Sequence, residues 1–300
     1  MPNTQIPWNE RRVNDFAELN SYVELMINRA HLDMHDVTMI FRGQANSAWT
    51  LQPTLLRLLM DPDKLTIKLS IEDIVDLELK SFKNFKQRAH LFHNSSIISN
   101  ENDIVALITL MQHYGAPTRA LDWSISPYVA LYYAVSGGFD TDGAIWFFCC
   151  WELVKKMEQL YGKEYIPSKE NYIKMARDPN VQPIMYISDR DKLTDRMINQ
   201  QGLFTVCQNV LGDHAYSIGN VLSEFKDIRN WLWKIVIPKE HKIQFLAKLH
   251  AMNITGASLF PGADGIGRYL NELMHIESGL NIPEIKAQIK KQFSNENRDI

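Results

Sequence analysis

Cysteine is scarce in this chain: three residues among 300, two of them adjacent at Cys149 and Cys150. Such a count leaves no disulfide framework and no paired Cys-x-x-Cys zinc pattern. Long apolar runs are missing too, and none approaches the roughly 20 residues needed to cross a bilayer. The opening MPNTQIPWNERR lacks the basic-then-apolar pattern of a secretion signal, so the sequence predicts a cytoplasmic protein without a membrane partner. Nor is there an excess of positive charge. The 32 basic and 35 acidic side chains give a formal net charge of −3. This argues against an all-over basic coat for nucleic acid but leaves room for a local basic groove. No internal repeat, low-complexity tract or Pro/Gly/Ser-rich linker divides the chain.

What is present suits a folded domain, with 45% hydrophobic and 22% charged residues, as in globular chains generally. Hydrophobic periodicity predicts helices over 14–30, roughly 66–93, 101–113, 239–250, 264–276 and 282–292. Strand candidates are DVTMIFRG (36–43), AIWFFCCW (144–151), PIMYI (183–187), LFTVC (203–207) and WLWKIVI (231–237). Strands and helices mix without a steady βαβ alternation, which predicts an α+β fold rather than a doubly wound sheet. Residues 160–182 read as an irregular insertion. One domain is expected over 1–300, with its core at about 36–270 and helical extensions at both ends.

Chemically capable side chains concentrate in HYGAPTRALDWSISPYVALYYAV, residues 113–135. The stretch reads as a loop carrying Gly115, Pro117, Arg119, Asp122 and Trp123 that runs into a helix with hardly a polar face. Ser126 suits an N-cap and Pro127 the first helical turn. Tyr128 to Val135 are apolar nearly all round, which places that helix in the interior. His113 and Arg119 suit an anion, and Tyr114 and Trp123 suit a flat ring. Ser124 and Ser126 frame a helix N-terminus whose N–H groups suit a phosphate. The plainer account of the same residues is capping plus aromatic packing.

Arg42 stands near the end of an apolar strand, with Gly43 beside it leaving room for a ligand near the backbone. A guanidinium there can hold phosphate or carboxylate through two bonds. The alternative, somewhat weightier on residues alone, is a structural pair with an acid such as Asp122. In RMINQQGLFTV, Arg196, Asn199, Gln200 and Gln201 precede a strand, where amides orient ribose hydroxyls or satisfy backbone groups. Metal is not expected. His31 and His35, and His90 and His93, have helical spacing but lack a clear third ligand. Cys207 reads as a small core residue, and GADGIG (262–267) as a turn opening a helix.

Four motifs in order, Phe41-Arg42-Gly43, QHYGAPTRALDWSISPYVALYYA, RMINQQGLF and GASLFPGADGI, resemble those of the FRG domain family across about residues 36–270. A weaker resemblance is to ADP-ribosyltransferases of the arginine-serine-glutamate class. It implies an ADP-ribosyltransferase-like mixed β core with several surrounding helices, and NAD as substrate. Arg42 matches the NAD-binding arginine, Ser124 loosely the serine, and Gln200 the last position of the glutamate segment. INQQG holds no glutamate, so an amide stands where a carboxylate normally grips the ribose 2′-hydroxyl. The base would then be His113 or Asp122. The catalytic set implied is Arg42, His113 and Gln200. NAD contacts would come from Arg42, Gly43, Tyr114, Arg119, Asp122, Trp123 and Ser124. The activity expected by resemblance is transfer of ADP-ribose to RNA or protein, in a toxin or defence effector with a neutralising antitoxin partner. The rivals are a non-catalytic nucleotide- or protein-binding module, which the missing glutamate favours, and a nuclease using His113.

Overall fold

The structure is a computed structural model. It describes residues 8–32, 39–60, 69–89, 104–161, 172–173, 176–177, 185–187, 195–222 and 232–280. Its strands are β1 (Asn9–Arg12), β2 (Met39–Gln44), β3 (Ala120–Ser124), β4 (Gly143–Cys149), β5 (Met185–Ile187), β6 (Gly202–Cys207) and β7 (Leu232–Ile237). They form one seven-stranded sheet in the order β1-β7-β4-β2-β3-β6-β5. Only the β1–β7 pair is parallel. Around it lie α1 (Phe16–Leu32), α2 (Thr54–Leu59), α3 (Ile71–Ala89), α4 (Ile104–His113), α5 (Pro127–Val135) and α6 (Cys150–Tyr161). The chain continues through α7 (Asp195–Asn199), α8 (His214–Leu222), α9 (Lys242–Ala251), α10 (Gly256–Leu259) and α11 (Ala263–Gly279). The fold is mixed α+β, as the pattern of elements predicts.

Central strands show why periodicity alone misleads. Every residue of β4 is buried, because apolar clusters cover both sheet faces. Ala144, Trp146 and Phe148 enter one cluster, and Ile145, Phe147 and Cys149 the other. A strand covered on both sides reads as a continuous apolar run instead of an alternation. The predicted strand AIWFFCCW is accordingly right to Cys149, but Cys150 and Trp151 open α6. The larger correction concerns residues 120–124. They are strand β3, paired with β6 from Ala120–Val206 to Ser124–Gly202, and not part of a loop. The predicted helix at 282–292, most of the 160–182 insertion, and His35, His90 and His93 fall outside the described residues. Among the described residues no cluster of His, Cys, Asp or Glu could hold a metal ion, and no helix is long and apolar enough to cross a membrane.

Helix α5 forms where the sequence predicts. Ser126 caps it, its hydroxyl accepting from the Val129 N–H at 3.3 Å, with Pro127 following at the first turn. The helix is largely buried and lies close on the sheet, for a Cβ on Gly43 would collide with the Ala130 carbonyl and one on Gly143 with the Ala134 carbonyl. Its far end is tied down by Lys242, whose Nζ donates to the carbonyls of Ala45, Gly137 and Gly138 at 2.6, 2.9 and 2.8 Å. Burial pushes the pKa of Lys242 down to about 8, against the opposing pull of Asp142 and Asp140.

Behind β3 and β6 runs a buried polar chain. The Nε1–H of Trp123 donates to Thr205 Oγ1 (2.8 Å), Thr205 meets His214 Nδ1 (2.9 Å), and His214 Nε2 meets the Arg119 carbonyl (3.0 Å). A carbonyl only accepts, so the proton of His214 sits on Nε2, and Nδ1 accepts from the threonine hydroxyl. The ring is neutral, and burial pushes its pKa down to about 3.

Two outcomes follow from this packing. Gly43→Ala should lower unfolding free energy by about 3 kcal/mol or more, because α5 must lift away. Gly137→Ala, where a Cβ meets nothing within 4 Å, should change it by less than about 0.5 kcal/mol. Denaturant unfolding compares them. For His214, the unfolded ring binds a proton below a pKa of about 6.5, while the folded ring resists until about 3. Stability is therefore fully present above about pH 6.5 and falls toward pH 3, by up to about 1.4 kcal/mol per pH unit. His214→Gln should lack that component of the slope, whatever its stability at neutral pH.

Candidate functional site

Strand β2 pairs along its whole length with β4, but meets β3 at a single register position, Phe41 opposite Ser124. Past that point the ladder does not continue. The divergence leaves a cleft of about 120 Å³. Phe41, Arg42 and Gly43 line it from β2, Asp122, Trp123 and Ser124 from β3, and Val129, Ala130 and Tyr133 from α5. Arg196 on α7 and Gln200 in the turn after it complete the lining. That turn places Gln201 at φ 48°, a left-handed conformation unusual outside glycine. The Gln201 carbonyl accepts from Ile125 N–H at 3.1 Å, which fastens the turn to the β3–α5 connection.

Arg42 bridges the gap. Its Nη1 donates to the Asp122 main-chain carbonyl at 2.6 Å and stands 3.8 Å from the Asp122 carboxylate. The guanidinium thus satisfies a backbone acceptor where β2 and β3 part, while the pair with the Asp122 carboxylate that residues alone favoured is the longer contact. It has donors beyond that role, for Nε is buried with no hydrogen-bond partner. Burial lowers the pKa of Arg42, Asp122 opposes the shift, and nearby Arg57 adds to it. Tyr133 is pushed up to about 12, chiefly by burial, and so remains a neutral phenol at physiological pH.

The capable side chains of 113–124 go to three different places. Asp122, Trp123 and Ser124 reach the cleft. Of these, Trp123 is nearly buried, with its N–H on Thr205 and its ring edge-on to Phe148. Ser124 donates to the Gln200 carbonyl (2.8 Å) and accepts from Ser126 N–H (2.9 Å), so its hydroxyl secures the turn. Arg119 is the clear correction to the expected NAD contacts. It is 1% exposed and holds Glu78 through two bonds of 2.7 Å. Tyr172 covers its guanidinium, 3.9 Å from centroid to Cζ. Burial opposes its charge, but Glu78, Tyr172 and Cys207 together outweigh that and the pKa is raised. It is a core ion pair, closed to ligands. Tyr114 lines a separate cavity of about 720 Å³ with Phe85 and Ala116. His113 packs edge-on against Tyr114 and is not among the residues lining the cleft.

Gly43 also differs from expectation. It lines the cleft, yet the space a side chain would need is filled by α5 rather than left for a ligand. Gln200 does face the same cleft as Arg42, with its Nε2 donating to the Leu259 carbonyl at 3.1 Å. Tyr133 and Arg57 are the neighbours that sequence reasoning missed. Tyr133 stands one turn after Val129 on α5, but an all-apolar helix offers no signal of which face meets a cleft.

Residues 37–143 match the family model of the FRG domain. The matched segment contains Phe41-Arg42-Gly43 and the 112–134 motif, whereas Arg196, Gln200 and residues 256–266 lie beyond it. No curated protein and no solved structure matches the chain.

The double attachment of Arg42 sets an expectation for its removal. Arg42→Ala leaves the Asp122 carbonyl without its charged donor, and should lower unfolding free energy by about 1.5–3 kcal/mol. An unchanged denaturation midpoint would show that the bridge between β2 and β3 contributes nothing.

Proposed function

We propose that this chain, an FRG domain over residues 37–143, is an ADP-ribosyltransferase-like enzyme that uses NAD at the cleft between β2 and β3. The observation that carries the reading is the meeting of Arg42, Ser124 and Gln200, remote in sequence, on one cleft. These are the three positions that the transferase resemblance picks out. The cleft is small, about 120 Å³, against roughly 300–1,000 Å³ for sites that enclose a drug-sized ligand. It therefore suits one end of the dinucleotide, with the remainder lying across the mouth.

The chemistry follows from the residues. The bond from ribose C1′ to the nicotinamide nitrogen breaks, and nicotinamide leaves with the bonding pair. The ribose becomes oxocarbenium-like, as in glycoside hydrolysis. An acceptor nucleophile forms the new bond to C1′ and loses its proton to a base. Arg42 suits the pyrophosphate through its charge and remaining donors. Gln200 suits a ribose hydroxyl. Among the described residues Asp122 is the only carboxylate lining the cleft, and it takes the role of base or counter-charge in place of His113, which is not among the lining residues. The acceptor is a macromolecule, RNA or protein. A toxin or defence role with a neutralising partner accompanies this reading and rests on the family resemblance. A non-catalytic nucleotide-binding module is the second reading, supported by the amide at position 200.

Incubation with NAD labelled in its adenylate half, with and without cell extract, tests the proposal by nicotinamide release and label transfer. Gln200→Glu should retain or raise nicotinamide release, because it restores a carboxylate at nearly constant volume. Arg42→Lys should weaken NAD binding about tenfold or more, since an ammonium cannot reproduce the fork. NAD binding with no nicotinamide release by either wild type or Gln200→Glu would establish the binding module instead.

A further inference from the structure

The mouth of the cleft gathers arginines. Arg196 lines the cleft itself, with its guanidinium 4.8 Å from the Phe260 ring centroid. Arg268 approaches the same ring to 4.2 Å. On another side Arg57 lies close enough to Arg42 to depress its pKa, and close enough to Asp122 to be stabilised by it. Acidic partners are few. Arg268 pairs with Asp264 at 3.0 Å, and Asp122 serves Arg42 at 3.8 Å. Arg57 and Arg196 form no ion pair among the described residues; Arg57 donates to Thr54 Oγ1 at 3.1 Å. This is a local surplus of positive charge in a chain whose formal net charge is −3.

Their setting distinguishes these arginines from an ordinary solvated surface. Phe260 is only 3% exposed, so two guanidiniums are seated on a fixed ring and lose less freedom when they bind. Beside them runs a narrow cleft with Phe41, Trp123 and Tyr133 in its walls. Phe41 and Trp123 are closed in the core, so the half-buried Tyr133 is the wall residue that offers a ring face. A ring face beside cations is an arrangement that holds single-stranded nucleic acid with its phosphates on the rim. An acidic peptide offers carboxylates for the rim but no flat ring for Tyr133.

We propose that the macromolecular acceptor is a single-stranded nucleic acid whose backbone phosphates are held by Arg57, Arg196 and Arg268. The inference rests on the cleft being the working site, as in the transferase reading, and it names the substrate class of that site.

Fluorescence anisotropy of a labelled mixed-sequence single-stranded RNA, with the full chain and no NAD, tests it. Three phosphate contacts predict a slope of log affinity against log salt of about −2, from about −0.7 per contact for single strands. The double variant Arg57→Gln/Arg268→Gln should weaken binding at least tenfold and flatten the slope by about 0.7 for each arginine removed. Both side chains are solvent-accessible, and circular dichroism melting checks that the variant folds. NAD affinity, measured separately, should remain near wild type. Absent RNA binding, or binding unchanged in the double variant, overturns the proposal. So does displacement of the RNA by polyglutamate at equal charge, which would make the acceptor an acidic protein. A variant that loses NAD affinity while keeping RNA affinity would assign the rim to the dinucleotide's own pyrophosphate and overturn it equally. Failure of the transferase reading shows elsewhere, as no nicotinamide release by the wild type, and leaves the anisotropy result to be judged on its own.

Discussion

Helix α5 rests on the sheet through Gly43 and Gly143, where any side chain would collide with its Ala130 and Ala134 carbonyls. Close approach of a helix backbone to a strand needs the missing Cβ. It also fixes the helix's height and slide on the sheet, since the Ser126 cap holds one end and the Lys242 ammonium the other. Because α5 is set this way, Val129, Ala130 and Tyr133 form part of the cleft wall and leave only a narrow space between β2 and β3. Had either glycine been larger, the helix would stand off and the cleft would widen. The glycine beside Arg42 therefore shapes the site indirectly, by letting a helix come near.

What could be read from the residues divides by the range of the forces involved. Signals written in the local sequence were reliable: the Ser126–Pro127 start of α5 is a capping contact within a few residues, and the apolar run of β4 is visible as such although distant elements bury it. Strand β3 was not legible, because Ala-Leu-Asp-Trp-Ser has little intrinsic strand preference and becomes a strand by pairing with β6, some 80 residues on. Arg119 was misread for a related reason. Its partners, Glu78 and Tyr172, come from segments far away on both sides of it in the sequence, and nothing local distinguishes a buried arginine from a binding one. Gln200 could be placed with Arg42 only through the transferase resemblance and its polar setting just before a strand, and the α7–β6 turn does bring it to the same cleft.

Arg42 combines both readings that its position allowed. One donor substitutes for the backbone ladder that β2 and β3 abandon, and Nε remains buried without a partner. A buried donor left so carries a desolvation cost of about 1–3 kcal/mol, more for a charged group. A structural arginine alone would be expected to use its whole fork, as Arg119 does on Glu78, Gln208 and Tyr172. The contrast between two arginines of one chain is instructive. One is closed by partners on every side, and the other is held at one atom beside an open cleft.

The amide at position 200 follows the same logic. Its Nε2 is committed to the Leu259 carbonyl, so the side-chain oxygen is the acceptor it has to offer in a cleft shared with Arg42 and Arg196. That oxygen can take the hydrogen of a ribose hydroxyl. A carboxylate in its place would face the Leu259 carbonyl with no hydrogen to give, at a cost in stability of about 1–3 kcal/mol. On the proposed transferase reading, the charge that an oxocarbenium-like ribose requires then falls to Asp122. That carboxylate sits on the outward face of β3, accepts from Gln112 at 3.1 Å, and remains 56% exposed. Holding and charge stabilisation are, on that proposed reading, divided between two side chains, one in the turn before β6 and one on the neighbouring strand β3.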